Sequence, residues 1–146
     1  MEESSLVPKR WFKKIDHVGI AVPSLATALP LYEGLLGQSV EHVEEVEEQQ
    51  VKTAFFRVGE SHFELLESTH PEGPIGRFLS KGRKGIHHLC VEVTDIEAVL
   101  AHYRELGIRL IDQVPKRGAH NKLVAFVHPA STGGILLELS QDAPAP

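Results

Sequence analysis

The residues of this 146-residue chain that could do chemistry come in matched pairs. His17 lies in Ile15-Asp16-His17-Val18-Gly19-Ile20-Ala21-Val22, and His88 lies 71 positions on in Ile86-His87-His88-Leu89-Cys90-Val91-Glu92-Val93. Glu64 lies in Phe63-Glu64-Leu65-Leu66 and Glu138 in Leu137-Glu138-Leu139, apolar company in which a carboxylate is costly unless it is paired or metal-bound. Two imidazoles and two carboxylates form a nitrogen–oxygen donor set that suits an octahedral divalent ion such as Co, Mn, Ni, Zn or Mg. Four such ligands leave two positions for water or a chelating substrate. The chain has nine histidines but one cysteine, Cys90, which excludes an internal disulfide framework and a thiolate metal cluster.

The pairs fall within a tandem repeat. The register set by the two histidine strings carries on through Leu25/Ile96, Tyr32/Tyr103 and Phe55/Phe126, and a small slip brings Glu64 over Glu138. Each half opens with a strand of period two, Val18, Ile20 and Val22 on one face and His17, Gly19 and Ala21 on the other. A helix follows. Asp95 caps the second at its start and Gly107 stops it; Ser24 and Gly37 are the counterparts in the first, where Pro30 predicts a late start or a kink. Three strand candidates complete each half: Ser39–Val43, Val51–Val58 and His62–Glu67, then Arg109–Val114, Leu123–His128 and Gly134–Ser140. The acidic run Glu41–Glu48 reads as a solvated loop, Lys81–Lys84 as the linker between halves, and the segments before Ile15 and after Gln141 as loose termini. The expected fold is α+β: one domain over residues 1–146, with two tandem βαβββ modules (about 15–67 and 86–141). Together they form one curved eight-stranded mixed sheet with helices on its convex face. His17, His88, Glu64 and Glu138 then converge on the open face. Alternation turns His87 away from it, leaves His62 beside Glu64, and gives Cys90 the reading of a small buried hydrophobe. His42 reads as a loop edge, His70 as a turn, His102 as helix surface and His128 as a strand-end hydrogen bonder, with Tyr32 and Tyr103 in the core.

The strings IDHVGIAVPSL, GIHHLCVEVTDI, KRGAHNKLVAFVHP and GGILLELSQ resemble the vicinal-oxygen-chelate superfamily (glyoxalase, bleomycin-resistance protein, dioxygenase) and, within it, the methylmalonyl-CoA epimerases. The resemblance runs from about Ile15 to Gln141. It implies that His17, Glu64, His88 and Glu138 are metal ligands, that Glu138 also moves a proton, and that the substrate is an acyl-CoA epimerised at the carbon between thioester and carboxylate. One departure stands out: Thr53 occupies a position where several such enzymes carry a second glutamate. Glu48, Lys52 and His62 are the nearby replacements. Glyoxalase-type isomerisation of a glutathione hemithioacetal, and metal-free binding of a small molecule, are the alternatives on the same plan.

The loop Pro115–Lys122 carries four cations, counting a protonated His120, in an otherwise acidic protein of net charge −5. Lys116, Arg117, Gly118 and His120 are therefore the expected contacts to the carrier phosphates. That net charge argues against nucleic acid as a partner, and no apolar run is long enough to span a bilayer. No secretory signal is read in MEESSLVPKRWFKK, so the expected setting is the cytoplasm, and the expected assembly is a homodimer.

Overall fold

The repeat is visible as two halves of one continuous sheet in the structure, a computed structural model that describes residues 10–144. The first half comprises β1 (Phe12–Ala21), α1 (Leu25–Leu36), β2 (His42–Val46), β3 (Val51–Val58) and β4 (Ser61–Ser68). A short helix, α2 (Pro74–Ser80), leads into β5 (Gly85–Val93), α3 (Ile96–Glu105), β6 (Lys116–Arg117), β7 (Lys122–Val127) and β8 (Leu137–Asp142). The eight strands lie in the order β2-β3-β4-β1-β5-β8-β7-β6, curled into a trough. β1 and β5 run antiparallel down the middle, each flanked by a parallel neighbour, β4 or β8.

Alternation along the strands sorts the two faces. Ala54, Phe56 and Leu65 turn outward to meet Leu25 and Ala28 of α1, and Ala125, Val127 and Leu139 do the same for Val99 and Leu100 of α3. Phe55 and Glu64, paired across β3 and β4, turn inward to the trough. The last strand of each half also caps its helix: Glu67 Oε1 accepts from Leu25 N and Gln141 Oε1 from Ile96 N, each at 2.6 Å. These bonds satisfy amides at helix starts that have no partner within the helix.

Five points of local structure differ from expectation. α1 begins directly after Ser24 and contains Pro30, so it is not late; the Ser24 hydroxyl makes no capping bond because Glu67 takes that role. The acidic run is not a loop but supplies β2, three residues beyond the expected Ser39–Val43, because a 3₁₀ turn at Glu47–Gln49 sets the hairpin. Charge on this edge strand discourages pairing with another sheet. Arg109–Val114 is not a strand: only Leu110 bridges to Val127, and the Asp112 carboxylate accepts from Phe126 N at 2.8 Å where a strand backbone would have done so. α2 was not expected, although Pro74 in its first turn is a recognised start signal. The chain enters β1 at Phe12, ahead of the expected loose end; residues 1–9 and 145–146 lie outside the described residues. No described helix is long and apolar enough to cross a membrane.

Candidate metal centre and acyl pocket

β4, β1, β5 and β8 are four consecutive strands, and each contributes one buried donor: Glu64, His17, His88 and Glu138. His17 Nε2 lies 3.0 Å from His88 Nε2, 3.1 Å from Glu64 Oε1 and 3.2 Å from Glu138 Oε1. His88 Nε2 lies 2.9 Å from Glu138 Oε1 and 3.5 Å from Glu64 Oε1. Adjacent ligands of one ion, each ~2.1 Å from it, are about 3.0 Å apart in an octahedron and about 3.4 Å apart in a tetrahedron. The five separations bracket those values: His17, Glu64 and His88 form a donor group that suits one divalent ion, and Glu138 Oε1 lies at ligand-to-ligand distance from both rings.

The outer nitrogen of each imidazole fixes which atom faces inward. His17 Nδ1 lies 2.7 Å from Asp16 Oδ2, a carboxylate that can only accept. Nδ1 therefore keeps its proton, and Nε2 is the nitrogen that gives up its own when the ring ligates an ion. His88 Nδ1 is likewise engaged, 2.9 Å from His87 Nδ1. Strict alternation would have turned both Asp16 and His87 away. Instead β1 and β5 slip register at these two residues, so that Asp16 lies between the pairs Ile15–Val91 and His17–Cys90, and His87 between Gly19–His88 and Ile20–Ile86. Each is a bulge, the device that re-aims a side chain beside a site. His87 thus does not face away, contrary to the alternation reading. Its ring is wedged between His88 and Phe78 of α2. Gly19 makes the room: a Cβ there would lie 2.2 Å from His88 Cε1.

The charges in the metal-free cluster are tightly interlocked. Burial alone would lower the His17 pKa, but the charge of Glu64 and the hydrogen bond to Asp16 raise it well above the usual imidazole value. Burial opposes protonation of His88 as well, but the hydrogen bonds and charges of Glu138 and Glu64 together outweigh it and raise its pKa. Glu138 is pushed up by burial yet held down at about 2 by the two histidines, and Glu64 is lowered in the same way. His87, buried beside a His88 cation, is pushed down to about 4. The Cys90 thiol is pushed up to about 12 by burial, which leaves it no role as a nucleophile.

A cavity of about 280 Å³ opens from His88, walled by Glu48, Gln49, Arg77, His87, Lys116 and Phe126. A smaller one, about 20 Å³, lies against His17, Glu64, Glu138, Gln49 and His120. Gln49 lines both. Its Nε2 and the Ser140 Oγ are the two buried side-chain polar atoms without a hydrogen-bond partner among the described residues, and both border the smaller cavity. Groups orphaned in this way call for a partner, whether water, ion or ligand.

The expected phosphate loop is dispersed. Lys116 stands on the large cavity's wall, 3.2 Å from Asp112 and over the Phe126 ring. Arg117 is exposed and bonded to Asn121, Gly118 sits over Val124, and His120 reaches across the trough to β2 and β3. Thr53 is buried and donates its hydroxyl to the Glu44 carbonyl at 3.0 Å, so it has no proton to trade with a substrate. Of its three replacements, Lys52 is exposed on β3, His62 is tied to Glu41 at 3.0 Å, and Glu48 alone reaches the cavity. Asp16, Gly19, Gln49, His87 and Arg77 were not foreseen as site residues. The one signal for them was the repeat itself, which aligns Asp16 with His87 just ahead of the paired histidines.

Comparison with known proteins accords with this geometry. Residues 16–126 match the family model described as the Glyoxalase/Bleomycin resistance protein/Dioxygenase superfamily. The human mitochondrial methylmalonyl-CoA epimerase is 38% identical over 129 residues, spanning 88% of this chain and 73% of that one. An ethylmalonyl-CoA/methylmalonyl-CoA epimerase of Cereibacter sphaeroides is 38% identical over 130 residues, 88% of this chain and 97% of that one. A solved variant of the Streptomyces coelicolor methylmalonyl-CoA epimerase, in complex with 2-nitronate-propionyl-CoA, superposes with a TM-score of 0.86 at 33% identity, covering 92% of this chain and 99% of that one. The chain therefore belongs to the Glyoxalase/Bleomycin resistance protein/Dioxygenase superfamily, and within it to the methylmalonyl-CoA epimerase family.

Proposed function

We propose that this chain epimerises (2R)- and (2S)-methylmalonyl-CoA by removing and returning the proton between the thioester and the carboxylate. The observation that carries the reading is the four-donor cluster whose His88 also lines a cavity of about 280 Å³, room for a small acyl group. His17, Glu64, His88 and Glu138 hold a divalent ion, which when bound supplies Lewis-acid neutralisation of the negative charge that develops on the substrate oxygens. Glu138 is ionised and so able to take a proton, and the cluster's low basicity means that the substrate must be acidified to meet it. Glu48, the one carboxylate on the large cavity's wall among the described residues, serves the other face of the reacting carbon. Gln49 Nε2 donates to a substrate oxygen, and Arg77 and Lys116 attract the anionic groups of the acyl-CoA. The reading includes a homodimer: Phe12 (50% exposed) and Ile15 (50%) on β1, and Ile86 (68%) on the adjacent β5, are large apolar side chains that a second copy would cover.

The test is exchange of the substrate α-proton in heavy water, followed by NMR with the cobalt-loaded protein. Exchange that depends on metal and disappears in Glu138→Gln is the expected result. No exchange, together with turnover of methylglyoxal and glutathione, would replace this reading with a glyoxalase.

A further inference from the structure

Nine histidines are more than the centre described above uses. Three of the others meet beside that centre around Phe55, the cross-strand neighbour of Glu64, where the rings of His42, His62 and His120 lie 6.0, 6.2 and 4.1 Å from the phenyl ring, centroid to centroid. His42 and His120 are the nearest pair, 4.8 Å between ring centroids. Between them stands Glu44. Its Oε1 is 3.2 Å from His42 Nε2 and accepts from the His120 backbone amide at 3.2 Å. One ring nitrogen from each histidine and a Glu44 oxygen lie within 4.8 Å of one another.

We propose that His42, Glu44 and His120 form a second divalent-metal site of the zinc type, separate from the His17 cluster. Two imidazoles and one carboxylate are a donor set that zinc accepts, with the remaining position left to water. The three donors are held rather than loose. His42 and Glu44 share one face of β2, whose backbone is pinned where the Thr53 hydroxyl bonds the Glu44 carbonyl. His120 is delivered by a turn in which it and Asn121 both take left-handed backbone angles, φ +57° and +55°. That conformation is disfavoured in a histidine, and it holds the solvent-exposed ring against Phe55 and beside β2. His62 stands by but is engaged with Glu41 at 3.0 Å and is not part of the donor set. Because His120 also borders the small cavity beside Glu64 and Glu138, an ion here would clip the 119–121 turn to β2 and close the trough there.

The test is equilibrium dialysis of the full chain against zinc, with bound metal counted by mass spectrometry. Wild type is expected to bind one equivalent more than His42→Ala and one more than Glu44→Gln, whether or not the His17 cluster also loads with zinc. His17→Ala is expected to keep the equivalent that His42→Ala loses, which separates this site from the proposed catalytic one. Zinc should protect the 119–121 turn from proteolysis in wild type but not in His42→Ala. Equal stoichiometry in wild type and both variants overturns the proposal, as does an equivalent lost in His17→Ala alone.

Discussion

Gly19→Ala isolates the demand that the metal centre makes on its scaffold. The added Cβ would stand 2.2, 2.5 and 2.7 Å from the Cε1, Nδ1 and Nε2 atoms of His88. An ordinary carbon contact needs about 3.5 Å, so the ring must retreat by roughly 3.5 − 2.2 = 1.3 Å. Its Nε2 now lies 3.0 Å from His17 Nε2 and 2.9 Å from Glu138 Oε1, and a working metal site tolerates ligand errors of only about 0.2 Å. A displacement of this order costs about 100-fold in rate, close to 3 kcal/mol, and overpacking takes roughly 1–3 kcal/mol from stability. The assays are chelator competition for metal affinity, heavy-water exchange for rate, and a thermal melt to show that the fold survives. A Gly19→Ala protein that binds metal and exchanges protons as wild type does would refute the placement of the His88 ring.

Gly34, inside α1 with open space around its position, is the contrast: Gly34→Ala should raise stability by about 0.5–1 kcal/mol with exchange unchanged, read in the same melt. Glu138→Gln should abolish exchange while keeping part of the metal affinity, measured by the same chelator competition. Gln49→Leu removes the orphaned donor and should raise KM by about 5- to 100-fold, the range of one buried hydrogen bond, with metal binding untouched. Metal-free protein should melt at its highest temperature near pH 6, at the upper end of the window from about 4.5 to 6.5, because His87, pushed down to about 4, costs stability as pH falls below 6.5. Glu64 and Glu138, lowered from 4.5, contribute stability that is lost as pH falls through their folded-state values; His17 and His88, raised from 6.5, contribute stability that is lost as pH rises through theirs. Metal loading should move the optimum upward because the ion replaces protons on both rings, and a metal-free melting temperature that does not vary with pH refutes the linkage.

The fold and the four donors were legible because duplication writes them twice: the 71-residue offset paired His17 with His88, and alternation put Glu64 and Glu138 on the same face. What surrounds them was not, for definite reasons. A bulge adds a residue without leaving any mark in the local pattern, so alternation misplaced His87 and gave no hint of Asp16's role. Asp95 caps α3 from three residues away, bonding Ala98 N at 3.1 Å, and could be read. Glu67 caps α1 from 42 residues away and could not. Gln49 matters because it lacks a partner, a property that exists only once everything around it is in place.

The strand order separates two tasks in space. All four donors stand on the central strands β4, β1, β5 and β8, whereas Glu48 and Gln49 in the β2–β3 turn, and Lys116 on β6, belong to the outer strands. Acyl and carrier preference can therefore be rebuilt by grafting edge hairpins that keep Glu48, with the central strands that carry the four donors left as a fixed cassette.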